Sequence, residues 1–184
     1  MIPIYLEPSA TQIALIGRGR LALRRLAWLE AAGARPVVWS DAPSPELETA
    51  AGARLQRRLP SAAEIVGFHA IWIADLSVEE ARPLALAARA AHALVNVEDV
   101  IELCDFHTPA VVHRGRLTLA AGTGGASPAV ARAAREKLET AFTEEWSGAT
   151  EEIANSRTAL RKQGADFDTL VSDARKRLHR HGLI

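Results

Sequence analysis

The chain has 184 residues, 48% of them hydrophobic and 24% charged, so it can bury a core and is not a disordered composition. Its 22 basic and 22 acidic residues cancel, which gives no electrostatic case for a nucleic-acid or membrane partner. The single cysteine, Cys104, excludes an internal disulfide and fits a reducing cytoplasm. Met1–Ala10 has no basic n-region, so no signal peptide is expected, and the apolar runs are too short and too often cut by charge to span a membrane.

Gln12–Ile16 is a short apolar run ending at Gly17 and reads as a buried strand. Arg20–Ala32 has helical spacing, with Ala22, Leu26 and Leu29 on one face and Gly33 placed as a C-terminal cap. Pro36–Trp39 reads as a second strand, Pro43–Ala51 as a helix, Arg54–Leu59 as a third strand and Ala70–Ala74 as a fourth. Ser77 and Glu80 form a capping-box pattern that starts a helix running to about Ala91. Leu94–Val97 is a fifth apolar run. Strands alternating with helices predict an α/β domain, a parallel sheet covered on both faces.

The rhythm changes after Asp99. Ala110–His113 and Leu117–Ala121 flank Arg114-Gly115-Arg116, a turn that joins two adjacent strands. Ser127 and Pro128 are a good N-cap and first helical residue for a helix running to about Phe142. From Trp146 onward the period is helical, with Phe167, Leu170, Val171, Ala174 and Leu178 as an apolar stripe. The expected organisation is a Rossmann-like domain over residues 1–112, a small α+β unit over 113–145 and a helical C-terminal region over 146–184.

Three places carry candidate chemistry. Gly17-x-Gly19-x-x-Ala22 follows a strand and opens a helix. Such a turn lets the backbone approach a pyrophosphate, with the helix N-terminus supplying N–H groups. Asp41 lies roughly 20 residues on, where a ribose-binding carboxylate is expected. Asp99 follows the fifth strand, at the sheet edge where open α/β sheets bind ligands; a carboxylate there can accept a proton. Its neighbour Glu98 points to the opposite face by alternation. Thr123-Gly124-Gly125-Ala126-Ser127-Pro128 leads into a second helix N-terminus, near Arg114, Arg116 and Arg132, and suits a carboxylate-rich ligand. The six histidines show no zinc-type spacing with Cys104.

Asn96-Val97-Glu98-Asp99, the Thr123–Pro128 turn and the Gly17–Ala22 turn together resemble the siroheme synthase family, in its precorrin-2 dehydrogenase/sirohydrochlorin ferrochelatase part. The resemblance implies an NAD-dependent oxidoreductase that converts precorrin-2 to sirohydrochlorin, with NADP as the other dinucleotide to consider. It also implies a possible second, lyase activity that takes ferrous iron as a substrate and yields siroheme. It assigns Asp99 as catalytic, and Gly17, Gly19, Arg20, Leu21, Ala22, Asp41 and Ala42 to the dinucleotide. Thr123, Gly124, Gly125, Ser127, Arg114 and Arg132 fall to the tetrapyrrole substrate. A cytoplasmic homodimer without nucleic-acid or membrane partners is implied, and no methyltransferase domain is expected within this length. The chain departs from the family at Arg18, usually glycine, and at Ala74-Asp75-Leu76-Ser77, where relatives carry A-T-D/N-D. The alternatives are a dehydrogenase without chelatase activity, or a non-catalytic relative that binds tetrapyrrole or nucleotide.

Overall fold

Four short, mostly buried runs and a two-residue edge strand pair into one parallel sheet, each joined to the next by a crossover. The computed structural model describes all residues, Met1–Ile184, and divides into two compact units, Met1–Thr108 and Pro109–Ile184. In the first unit β1 (Ile13–Gly17), β2 (Val37–Trp39), β3 (Leu55–Gln56), β4 (Ala70–Ala74) and β5 (Leu94–Val97) lie in the order β3-β2-β1-β4-β5. The crossovers carry α1 (Gly19–Ala31), α2 (Pro45–Ala51), α3 (Ala62–Ile65) and α4 (Val78–Ala90).

Alternation along the strands divides the core. Ile13 and Leu15 face Ala22, Leu26 and Leu29 of α1, the stripe expected from the sequence. Ala14 and Ile16 face Ala81, Ala85 and Ala88 of α4. Small alanines on α4 let the helix lie close to the sheet, and aromatics fill the ends: Trp72 meets Phe106 edge-on at 4.9 Å and Trp39 meets Phe68 at 5.4 Å. Ser77 caps α4 with the expected box, its hydroxyl accepting from the Glu80 N–H while Glu80 accepts from the Ser77 N–H. The same box, Ser61 with Glu64, starts α3, a one-turn helix.

In the second unit β6 (Ala110–Arg114) and β7 (Leu117–Ala121) form the expected antiparallel pair, with Arg114 opposite Leu117. Val112 therefore belongs to this unit, and the division falls ahead of the expected boundary. Helix α5 (Pro128–Ala141) packs on this ribbon, and α6 (Glu145–Lys162) and α7 (Phe167–Arg180) form a helical hairpin broken at Gly164. Of the expected stripe on α7 only Leu170 is buried; Phe167 and Val171 are exposed. No helix is long and apolar enough to cross a membrane.

Candidate active site

The strand order reverses between β1 and β4, so their carboxyl ends bound the crevice where such sheets take ligands. Gly17 ends β1 directly opposite Ala74, the last residue of β4. A Cβ at Gly17 would run into the Ala74 carbonyl oxygen, so this glycine is required by strand packing before any ligand is considered. The turn stays against β4 through Arg18, whose N–H donates to the Ala74 oxygen at 3.2 Å. Gly19 then takes a left-handed φ of 57°, where a side chain is strained, and starts α1.

No side chain of its own turn caps α1. The orphan N–H groups go to Asp75, the residue after β4: its Oδ2 accepts from Leu21 N–H at 2.6 Å and from Ala22 N–H at 3.2 Å. Asp75 holds a left-handed φ of 56°, uncommon for a residue with a side chain. Leu21 and Ala22 thus form an anion seat with a carboxylate in it. That donor set fits a dinucleotide phosphate as well as it fits Asp75.

Arg18 closes the turn from the other side. Its Nε and Nη2 each donate to one oxygen of Asp41 at 2.6 Å, and its Nη1 and Nη2 reach Glu80 at 3.2 and 2.8 Å. The Arg18 hydrogen bonds hold the Asp41 carboxyl below the usual carboxylate range; Glu80 is lowered first by Arg18 and then by the Ser77 N–H. The two carboxylates push the guanidinium pKa up. One guanidinium between two carboxylates leaves the cluster with net negative charge. Ala42, beside Asp41, and Arg20, with no hydrogen-bond partner, are exposed.

Asp99 sits in the turn after β5, exposed, at a left-handed φ of 64°, with no hydrogen-bond partner. The turn is fixed around it: Glu98 N–H donates to the Ile73 oxygen, and Val100 N–H to the Val97 oxygen. Glu98 does turn the other way, into α1, where Arg24 and Arg25 each donate to one of its oxygens at 2.6 Å. Glu98 is therefore spent on an ion pair, 10% exposed against 11% for Arg25, while Asp99 has no such partner. Asn96 is buried and structural, donating to the Phe106 oxygen. Burial pushes the Cys104 thiol up, and its sulfur donates to the Val97 and Val100 carbonyls.

In the second unit the glycine-rich turn is held by its own side chains. Thr123 Oγ1 accepts from Ser127 N–H at 3.1 Å, and Ser127 Oγ accepts from Val130 N–H at 3.3 Å as the cap of α5. Gly124, Gly125 and, on α5, Arg132 are exposed, and Arg132 has no partner. Arg114 departs from its expected role. Its guanidinium donates to the Phe142 oxygen at 2.7 Å and to the Glu139 oxygen at 3.4 Å, and pairs with Glu144. That is the C-terminal end of α5, roughly 20 Å from its N-terminus at 1.5 Å per residue. Cations favour a helix C-terminus, so Arg114 belongs to helix packing and not with the Thr123–Ser127 turn. Arg116 likewise pairs with Glu151.

Asp75 and Glu80 escaped the sequence reading as site residues. Strand order would have found Asp75: once β4 lies beside β1, the residue after β4 must meet the glycine turn.

A 3-2-1-4-5 parallel sheet with a glycine turn at its switch point defines a dinucleotide-binding α/β domain of the Rossmann type. The chain belongs to the NAD(P)-binding family NAD_binding_7, whose model matches residues 4–110. It is 34% identical over 166 residues to the siroheme synthase of Methylococcus capsulatus, covering 88% of this chain and 35% of that protein. It is 30% identical over 165 residues to the siroheme synthase of Xylella fastidiosa (strain M12), again covering 88% and 35%. The chain thus spans about a third of the length of these curated relatives. A solved structure titled "SirC, precorrin-2 dehydrogenase" matches with a TM-score of 0.73 at 20% identity, covering 100% of both chains, which establishes a shared fold.

Proposed function

We propose that this protein is an NAD-dependent precorrin-2 dehydrogenase that yields sirohydrochlorin, a reading supported by its similarity to siroheme synthases. The observation that carries it is Asp99, an exposed, unpaired carboxylate held in a left-handed turn at the carboxyl edge of the sheet. Aspartate tolerates this backbone better than most side chains, and the turn leaves its carboxylate exposed at the sheet edge. When bound, the dinucleotide supplies a hydride acceptor. Asp99 accepts the proton lost from the tetrapyrrole as the hydride leaves. Leu21 and Ala22 N–H hold the diphosphate, and Gly17 and Gly19 let it approach. Asp41 stays partly exposed beside Arg18, where its carboxylate can accept from a ribose hydroxyl. The net negative Arg18–Asp41–Glu80 cluster disfavours a 2′-phosphate and so favours NAD over NADP.

The Thr123–Ser127 turn and Arg132 hold substrate carboxylates, with Arg114 left out. The second unit supports a homodimer. A two-stranded ribbon is marginal alone, and α5, which carries Val130 and several alanines, buries no residue. Ferrous iron is a second substrate on the bifunctional reading, because Asp99 is equally free to take pyrrole protons displaced by a metal.

The test is an absorbance assay of precorrin-2 with NAD and, separately, NADP, with and without ferrous iron, on the wild type and Asp99→Asn. Asn tolerates the left-handed backbone, so folding is preserved. Sirohydrochlorin from the wild type and a loss on the order of a hundredfold or more in Asp99→Asn are expected. Unchanged turnover in the variant sinks the assignment of Asp99, and no oxidation with either dinucleotide favours a binding module. Siroheme appearing only with iron supports the second activity.

A further inference from the structure

The cofactor reading leaves one residue unexplained: Asp75 sits where the diphosphate belongs. Its Oδ2 takes both N–H groups of the anion seat, at 2.6 Å from Leu21 N and 3.2 Å from Ala22 N. A built Cβ on Gly19 would lie 3.0 Å from the same oxygen, so the carboxylate also fills the space that a glycine keeps open for a ligand's close approach. The backbone of Asp75 is in the left-handed region, at φ 56°, which aspartate tolerates better than most side chains. A local cap would not need this. Ser44, Ser77, Ser127 and Asp166 cap their own helices from the adjacent residue with extended backbone. Asp75 reaches across 54 positions of sequence to cap a helix that is not its own.

We propose that Asp75 is a built-in competitor of the dinucleotide, a carboxylate that occupies the diphosphate seat and must leave before the cofactor binds. This rests on the assignment of the Gly17–Ala22 turn as the cofactor site. Both ends of the short β4–α4 connection are pinned. Arg18 N–H holds the Ala74 oxygen, and the Arg18 guanidinium holds Glu80 of α4. Asp75 therefore leaves by rotation of its side chain and not by a swing of the loop. The consequence is quantitative: apparent affinity falls by the fraction of time the seat is free. The device favours ligands whose phosphates make more contacts with the turn than one carboxylate does, and so screens out small monovalent anions.

The experiment is calorimetric titration of the full chain with NAD and, separately, with inorganic pyrophosphate. It compares the wild type with Asp75→Asn and Asp75→Gly. Both replacements accept the left-handed backbone, and thermal melts confirm that each variant is folded. Asp75→Gly is expected to bind both probes on the order of tenfold tighter, the equivalent of one charge-assisted hydrogen bond no longer competing. Asp75→Asn, uncharged but still an acceptor, falls between the two. The Leu21 and Ala22 amide resonances are expected to shift on adding pyrophosphate to Asp75→Gly at concentrations that leave the wild type unchanged. If the wild type binds NAD and neither variant binds it more tightly, the competitor role is wrong while the cofactor site stands. If none of the three binds NAD or pyrophosphate, both are wrong.

Discussion

The protein has two glycine-rich turns that open helices, and they are closed in different ways. The Gly17–Ala22 turn is sealed by residues distant in sequence: Asp75 from the end of β4, with Asp41 and Glu80 clasped by Arg18. The Thr123–Ser127 turn is sealed by its own threonine and serine. The same backbone device is thus tertiary in one unit and local in the other. A tertiary seal exists only when strands β1, β2 and β4 are in register, and it responds to anything that moves them. A local seal forms with its helix and is indifferent to the rest of the fold. Substitutions at the two turns should therefore differ in size and in what they disturb.

The largest effect is expected at Gly17. In Gly17→Ala the new Cβ meets the Ala74 carbonyl oxygen, a backbone atom that moves only if β1 and β4 part. A cost of about 3 kcal/mol is expected from such overpacking, read as a lowered midpoint in urea unfolding. Cofactor affinity should fall with it, because the turn whose Leu21 and Ala22 N–H groups are assigned to the diphosphate follows directly from β1. A stable variant with normal affinity would show that the turn is not set by strand pairing.

A smaller, confined effect is expected at Ser127. Ser127→Ala removes the acceptor for the Val130 N–H and is expected to cost about 1 kcal/mol, typical for a lost serine cap. Amide hydrogen exchange should quicken in the first turn of α5 and stay unchanged along α1. Faster exchange along α1 as well would contradict the local character of this seal.

The contrast also explains what could be read from the sequence. The local features were legible: Ser77 with Glu80, and Ser127 with Pro128, announce their helices within four residues. Ser61 with Glu64 announced α3 in the same way but was hidden in a short crossover. The strands at Ala70–Ala74 and Leu94–Val97 were legible as short apolar runs, the first unbroken and the second interrupted by the buried Asn96. Asp99 was legible as the first polar position free of the core, and alternation correctly sent Glu98 to the other face. Asp75 was not, because its role depends on which strand lies beside β1, and no local pattern states that. Arg114 failed for a related reason: nearness in sequence to a helix does not say which end of it a long side chain reaches.

The smallest effect is expected from the Arg18 clasp, which is half exposed and therefore screened by solvent and salt. Its sign is still definite. Arg18 lowers the folded-state pKa of both Asp41 and Glu80. A carboxylate lowered on folding stabilises the protein above its unfolded pKa, about 4, and loses that contribution as pH falls through the lower folded value. Arg18→Met keeps the aliphatic stem and removes the guanidinium. It should be less stable than the wild type at pH 6, with the gap closing as the pH is taken below about 4 and the carboxylates protonate. Added salt at pH 6 should shrink the same gap. A gap that persists unchanged into acid would mean that the Arg18 guanidinium acts through something other than its pairing with ionised Asp41 and Glu80. The first turn would then be sealed by Asp75 alone.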